Sequence, residues 1–320
     1  MGALWELAST PAAYAKKAFY KANDPERSTP PVRIDFGPAP LQHCMLWEPD
    51  VVRHEEVVFW FHGGGYLVGT AESMLDAANV YNAQGYRFCS VGFRLMPWDR
   101  FPAQVDDAFA GIAAALVWLE ANGRPCERIF VGGSSCGGHL ACLVGYGRWL
   151  QEAHGFPAER LAGVVSCAAV VDVDDMLLRP FPAPAVWHAY MDLPTHGSDS
   201  LAARHMALLP YSPVALVERY AQPGGPGLGA PTPVPNPPEP VPFFAIHGRA
   251  DTMSPYAHEA AFVRRLNEIA PRPADTSPTA TLHTVEDWRW QHMVTTVTLH
   301  KDPVDRSPAL AALFAWLADK

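Results

Sequence analysis

The segment 128–144 admits few backbone arrangements. Arg128-Ile129-Phe130-Val131 has the make-up of a buried strand and His139-Leu140-Ala141-Cys142-Leu143-Val144 that of an apolar helix. Gly132-Gly133-Ser134-Ser135-Cys136-Gly137-Gly138 joins them. A strand that becomes a helix over so short a distance brings two backbones close together, and residues without a Cβ permit that approach. The spacing predicts a sharp strand-turn-helix carrying Gly133-Ser134-Ser135-Cys136-Gly137, the G-x-S-x-G pattern of a nucleophile elbow. Shifting the register to centre on Ser134 puts Cys136 where the last glycine belongs, so Ser135 is the candidate nucleophile. The plain alternative is a glycine-rich turn that only packs.

Around this turn, short apolar runs alternate with longer helical patterns. Strands are predicted at 57–61, 88–93, 128–131, 163–168, 241–246 and 281–285. Helices are predicted at 73–84, 106–122, 138–154, 255–269 and 308–318. Such alternation predicts an α/β fold with a mostly parallel central sheet flanked by helices. Two regions break the pattern. Residues 1–30 read in part as an amphipathic helix, and residues 172–241 interrupt the sheet. The tail of the second region, from Gln222 on, is rich in glycine and proline and suits an extended surface loop. The predicted organisation is a core of 31–171 and 242–320, with a lid made from residues 1–30 and the insertion 172–241.

Composition narrows the function classes. The 320 residues are 49% hydrophobic with a net charge of -9, and no basic stripe is present, which argues against nucleic acid as a partner. No apolar stretch is long enough to span a bilayer, and the first residues lack the regions of a secretory signal. The six cysteines, Cys44, Cys89, Cys126, Cys136, Cys142 and Cys167, are scattered through apolar runs. They read as buried thiols of a cytoplasmic protein, not a disulfide framework. No Cys/His spacing resembles a zinc site, and no metal or organic cofactor is expected.

A serine hydroxyl needs a base held by a third group. In chains built around such an elbow the order is Ser, then Asp or Glu, then His. Asp251 follows the apolar run Phe243-Phe244-Ala245-Ile246, at the carboxyl end where an α/β sheet presents its functional groups. It precedes Pro255, a residue suited to opening a helix, so a capping role stands beside the acid role. Glu259 falls inside the helix and Asp275 in a Pro-rich stretch, and both suit the acid role less well. Among the later histidines, His258 falls in a helix, His283 in a strand and His300 in or after a helical run. His292 lies past the last strand in a predicted loop and is the candidate base. The developing oxyanion needs backbone N–H groups. Cys136, next to the nucleophile, and Gly64 and Gly65 of His62-Gly63-Gly64-Gly65 are the candidates. His62 is read as shaping the loop.

These segments together resemble the hormone-sensitive-lipase-like branch of the α/β-hydrolases, the bacterial esterases with an HGGG motif. His62-Gly63-Gly64-Gly65-Tyr66-Leu67-Val68-Gly69 is similar to the family's glycine loop, and Phe93-Arg94-Leu95-Met96-Pro97 to its Y-R-L-A-P segment. Phe101-Pro102-Ala103 with Asp106-Asp107, and Tyr211-Ser212-Pro213, resemble two further family markers. The resemblance implies a lid formed from the N-terminal segment and the insertion after the sixth core strand, and a small-molecule ester as substrate. Departures are local. Ser134 replaces the usual acidic residue, Cys136 the usual alanine, Trp98 a glutamate, Thr252 a proline and Met293 a glycine. The expected activity is hydrolysis of small to medium acyl or aryl esters. An amidase or deformylase on the same residues, a non-catalytic ligand-binding protein of this fold and an interaction module using the Pro-rich run are the alternatives. A homodimer is left open.

Overall fold

The computed structural model describes residues 29–178, 209–221, 240–270, 277–286, 292 and 304–320. The predicted N-terminal helix and most of the 172–241 insertion, with its Pro-rich tail, lie outside them.

Strand β3 (Val57–Phe61) shows how the sheet is built. All five residues are buried. Val57, Phe59 and Phe61 enter one hydrophobic cluster, Val58 and Trp60 another. A side-chain period of two thus feeds two cores, one on each face of a sheet that is covered on both sides. Eight strands form this sheet: β1 (Val32–Asp35), β2 (His43–Trp47), β3, β4 (Arg87–Val91), β5 (Ile129–Ser134), β6 (Leu161–Cys167), β7 (Phe243–Gly248) and β8 (Ala280–Val285). Their order is β1-β2-β4-β3-β5-β6-β7-β8. The β1–β2 and β2–β4 pairs are antiparallel, and every later pair is parallel. The six predicted runs correspond to β3 through β8. β1 and β2 form an antiparallel edge that the alternation of runs does not reveal.

The helices are α1 (Leu75–Ala83), α2 (Ala103–Ala121), α3 (Cys136–Tyr146), α4 (Arg148–Ala153), α5 (Val173–Leu178), α6 (Pro213–Ala221), α7 (Tyr256–Ile269) and α8 (Pro308–Asp319). α2, α3, α6 and α7 supply the cluster under Phe59, and α1 and α8 the cluster under Trp60. The predicted helix 138–154 is two helices broken at Gly147, whose φ of -80° and ψ of 72° are not helical. All six cysteines are free and buried. No helix among the described residues is long and apolar enough to cross a membrane.

Parallel strands align their carboxyl ends on one edge of the sheet. His62 leaves β3, Ser135 leaves β5, and the loop to Asp251 leaves β7, so the three segments singled out from the sequence converge there.

Candidate active site

Ser135 occupies a backbone position that side chains rarely adopt, with φ 55° and ψ -120°. Its N–H donates to the Cys167 carbonyl at the end of β6 (2.9 Å), and its carbonyl accepts the first α3 bond, from His139 N–H (3.1 Å). The neighbouring glycines are required by contact. A Cβ on Gly133 would stand 2.2 Å from the Gly137 carbonyl oxygen, and one on Gly137 would stand 2.1 Å from the Phe61 carbonyl oxygen. The elbow is therefore wedged against its own helix and against the end of β3.

His292 Nε2 lies 3.0 Å from Ser135 Oγ, and its Nδ1 lies 2.7 Å from Asp251 Oδ2. Three residues separated by 157 and 41 positions thus form one hydrogen-bonded line. His292 has a helical backbone, not the predicted loop conformation. Asp251 Oδ1 accepts the N–H groups of Met253 and Ser254, each at 2.9 Å. These bonds close a turn ahead of α7. Asp251 does not cap that helix, whose N-cap is Pro255 with no side-chain bond. Burial pushes the Asp251 carboxyl toward neutrality. The positive charge His292 takes up, together with hydrogen bonds from His247 and His292, more than offsets this and holds it well below the usual carboxylate range.

The glycine loop meets the elbow. Gly64 and Gly65 have φ of 125° and 61°, and the Gly64 carbonyl accepts Leu67 and Val68 N–H at 3.1 and 3.3 Å. A Cβ on Gly64 would lie 2.0 Å from the Val68 carbonyl oxygen, so this tight turn requires glycine. Tyr66 Oη lies 2.8 Å from the Cys136 carbonyl and 2.7 Å from His139 Nδ1, two acceptors for its single hydrogen, while His139 Nε2 donates to the Tyr211 carbonyl (2.8 Å). One chain of bonds thus joins the glycine loop, the elbow helix and the segment that precedes α6. Burial lowers the His139 pKa to about 4, so its ring is neutral and can accept from Tyr66. Cys136 N–H precedes the first helical bond and has no helical carbonyl to receive it. Burial, only partly opposed by nearby backbone N–H groups, pushes the Cys136 thiol up to about 12, which leaves it inert beside the serine.

His62 is fully buried, stacked on Phe93 with ring centroids 4.1 Å apart, and Nδ1 donates to the Gly63 carbonyl at 2.8 Å. Burial lowers its pKa to about 4. It shapes the loop, as its place before the glycines suggests. Further along, Arg94 closes on Asp107 through both its Nε and Nη2, the latter at 2.9 Å.

The sequence pattern of the alpha/beta hydrolase fold family matches residues 58–199. The chain is 32% identical to esterase LipI of Mycobacterium tuberculosis over 128 residues, 38% of each protein. It is 36% identical to the ethyl acetate hydrolase of Pseudomonas putida over 88 residues, 27% of this chain and 28% of that one. The chain has the alpha/beta hydrolase fold, and its matched segments are similar to those of bacterial esterases. The matched segments span well under two thirds of those relatives' lengths. A hormone-sensitive lipase from a metagenome library superimposes with a TM-score of 0.62 at 18% identity, over 97% of this chain and 93% of that one, which shows a shared fold.

Two features of this α/β-hydrolase fold escaped sequence reasoning. Glu259, set aside as a helix-interior acid, is fully buried and bonded to His247 Nδ1. Its signal was available: Glu259 shares the buried face of α7 with Phe262, Val263 and Leu266, at helical spacing. The Tyr66–His139 link carried no such signal.

Proposed function

We propose that the protein hydrolyses carboxylic esters of small to medium acyl or aryl groups through an acyl-enzyme on Ser135. The observation that carries this reading is the line Ser135–His292–Asp251, with contacts of 3.0 and 2.7 Å. His292 takes the Ser135 proton as Oγ attacks the ester carbonyl, then gives it to the leaving alcohol. The acyl-enzyme is cleared by water, activated by the same imidazole. Asp251 orients His292 and stabilises its charged form. The N–H groups of Gly64, Gly65 and Cys136 receive the oxyanion, each such donor being worth roughly 10²–10³ in rate. The cycle balances with water as the only co-reactant. Residues 1–30 and 172–241 would form the lid that shapes the acyl pocket. The esterase names of the matched relatives support an ester substrate, and the name ethyl acetate hydrolase supports trying short acyl groups first.

Hydrolysis of p-nitrophenyl esters from acetate to long acyl chains, by the wild type and Ser135→Ala, tests this. Activity that peaks at short to medium chains in the wild type, and a variant slower by several orders of magnitude, is the expected result. Full activity in Ser135→Ala would reject the nucleophile. Turnover of anilides with none of esters would move the reading to amide bonds.

A further inference from the structure

The buried polar line does not stop at Asp251. Its Oδ2, which faces His292, also stands 3.3 Å from His247 Nε2. His247 Nδ1 is bonded in turn to Glu259 Oε2, and Glu259 Oε1 accepts from Ser166 Oγ on β6. The side chains of Asp251, His247 and Glu259 are all fully removed from solvent. Two carboxylates buried this close repel one another and lose their hydration, an arrangement that persists only with a cation or a shared proton between them.

The partners of the ring fix most of the protons. The Ser254 carbonyl, 2.8 Å from His247 Nε2, can only accept, so Nε2 carries a hydrogen. Ser166 Oγ accepts Ala169 N–H at 3.3 Å and gives its own proton to Glu259. With a hydrogen on Nδ1 as well, Glu259 receives a donor on each oxygen and the ring is an imidazolium.

We infer that His247 is a positioning residue for the reaction: an imidazolium clamped between Glu259 and Asp251, it holds the Asp251 carboxylate against His292 and moderates that carboxylate's pull on the base. The inference rests on the proposed triad.

Burial alone would discharge His247. The charge of Glu259 and the bonds to both carboxylates more than offset it and raise the pKa to about 10. The other groups facing this cluster leave the balance intact. Tyr256 on α7 presents its ring to His247 at 5.8 Å and bonds Thr284 through its hydroxyl. Cys142 on α3 and Cys167 on β6 are pushed up by burial and by the Glu259 charge, and stay neutral. His283 on β8 pairs with Ile246, so it points to the other face of the sheet from His247. Arg249 lies outside, over Tyr256 and bonded to Glu286.

The test is the acid limb of the pH profile of kcat/KM with p-nitrophenyl butyrate, in the wild type and in His247→Gln. Removing the nearer cation leaves Asp251 to stabilise protonated His292 more strongly. This holds even if Glu259 takes up a proton, because Glu259 is the more distant group. The acid limb therefore moves up by about one pH unit. A lower kcat with an unmoved limb would reduce His247 to a strut and overturn the inference. A second measurement needs no variant to fold. The ¹⁵N spectrum of histidine-labelled wild-type protein at pH 8, assigned through the backbone, is expected to show a proton on both His247 nitrogens. A neutral ring would overturn the inference. Full activity in Ser135→Ala would reject the triad instead and leave the His247 spectrum as it is.

Discussion

Asp251→Asn isolates what the carboxylate does, because the structure dictates how the amide must sit. Oδ1 accepts two backbone N–H groups, from Met253 and Ser254 at 2.9 Å each. An amide nitrogen facing both of those donors would lose two bonds, so the Asn carbonyl takes that position. The NH₂ then takes the place of Oδ2, 2.7 Å from His292 Nδ1. A donor there forces Nδ1 to accept and puts the imidazole hydrogen on Nε2, facing Ser135 Oγ. In that tautomer His292 cannot take the serine proton. The expected loss is about 10⁴ in kcat, or about 5 kcal/mol of transition-state stabilisation. The two turn bonds survive, so the variant should still fold, but with lower stability, since the charge of Asp251 and its contact with the His247 Nε2–H are lost. Steady-state kinetics on p-nitrophenyl butyrate, with thermal unfolding of the same samples, would decide. A folded variant within tenfold of wild type would refute the argument that Asp251 sets the His292 tautomer.

Two further perturbations follow from bonds already described. Tyr66→Phe removes the hydroxyl that serves the Cys136 carbonyl and His139 Nδ1; it should destabilise the fold by about 1–3 kcal/mol in urea unfolding and lower kcat more than it raises KM, and an unchanged urea midpoint would count against the link. Stability should also fall as pH rises from about 7 to 10. His247 binds its proton more tightly folded than unfolded, so its contribution is complete below the unfolded value near 6.5 and is lost as pH passes through the folded value of about 10. Thermal midpoints across that range should decline in the wild type and flatten in His247→Gln, and parallel curves would contradict this.

What could be read from the chain depended on how local each signal was. Strands β3 through β7 are largely apolar runs buried at nearly every position, and such runs stand out, while β8 at the far edge is only partly buried. β1, with charged Arg33 and Asp35 alternating with Val32 and Ile34 at the sheet edge, is four residues long and does not stand out. The break at Gly147 was hidden because apolar residues continue on both sides of it. At the candidate site, Ser135, Asp251 and His292 each follow a recognisable local pattern, and chain order narrowed the choice. The cluster behind them is tertiary. His247 reads as the end of an apolar strand and Glu259 as one more charge in a helix, and only their packing against each other makes either one informative.

The spread of the site along the chain has a consequence in time. The proposed nucleophile lies at 135, while the groups hydrogen-bonded behind it lie at 251 and 292, and β7 and β8 join the sheet after β6. During synthesis from the N-terminus, the elbow emerges well before any base can reach it. On the proposed mechanism, a nascent chain halted short of residue 292 would carry a serine no more reactive than any other. Hydrolytic power would arrive late, in one step, when the last parallel strands dock. Until then the half-made protein would pose no threat to the esters around it, its own peptidyl-tRNA ester included.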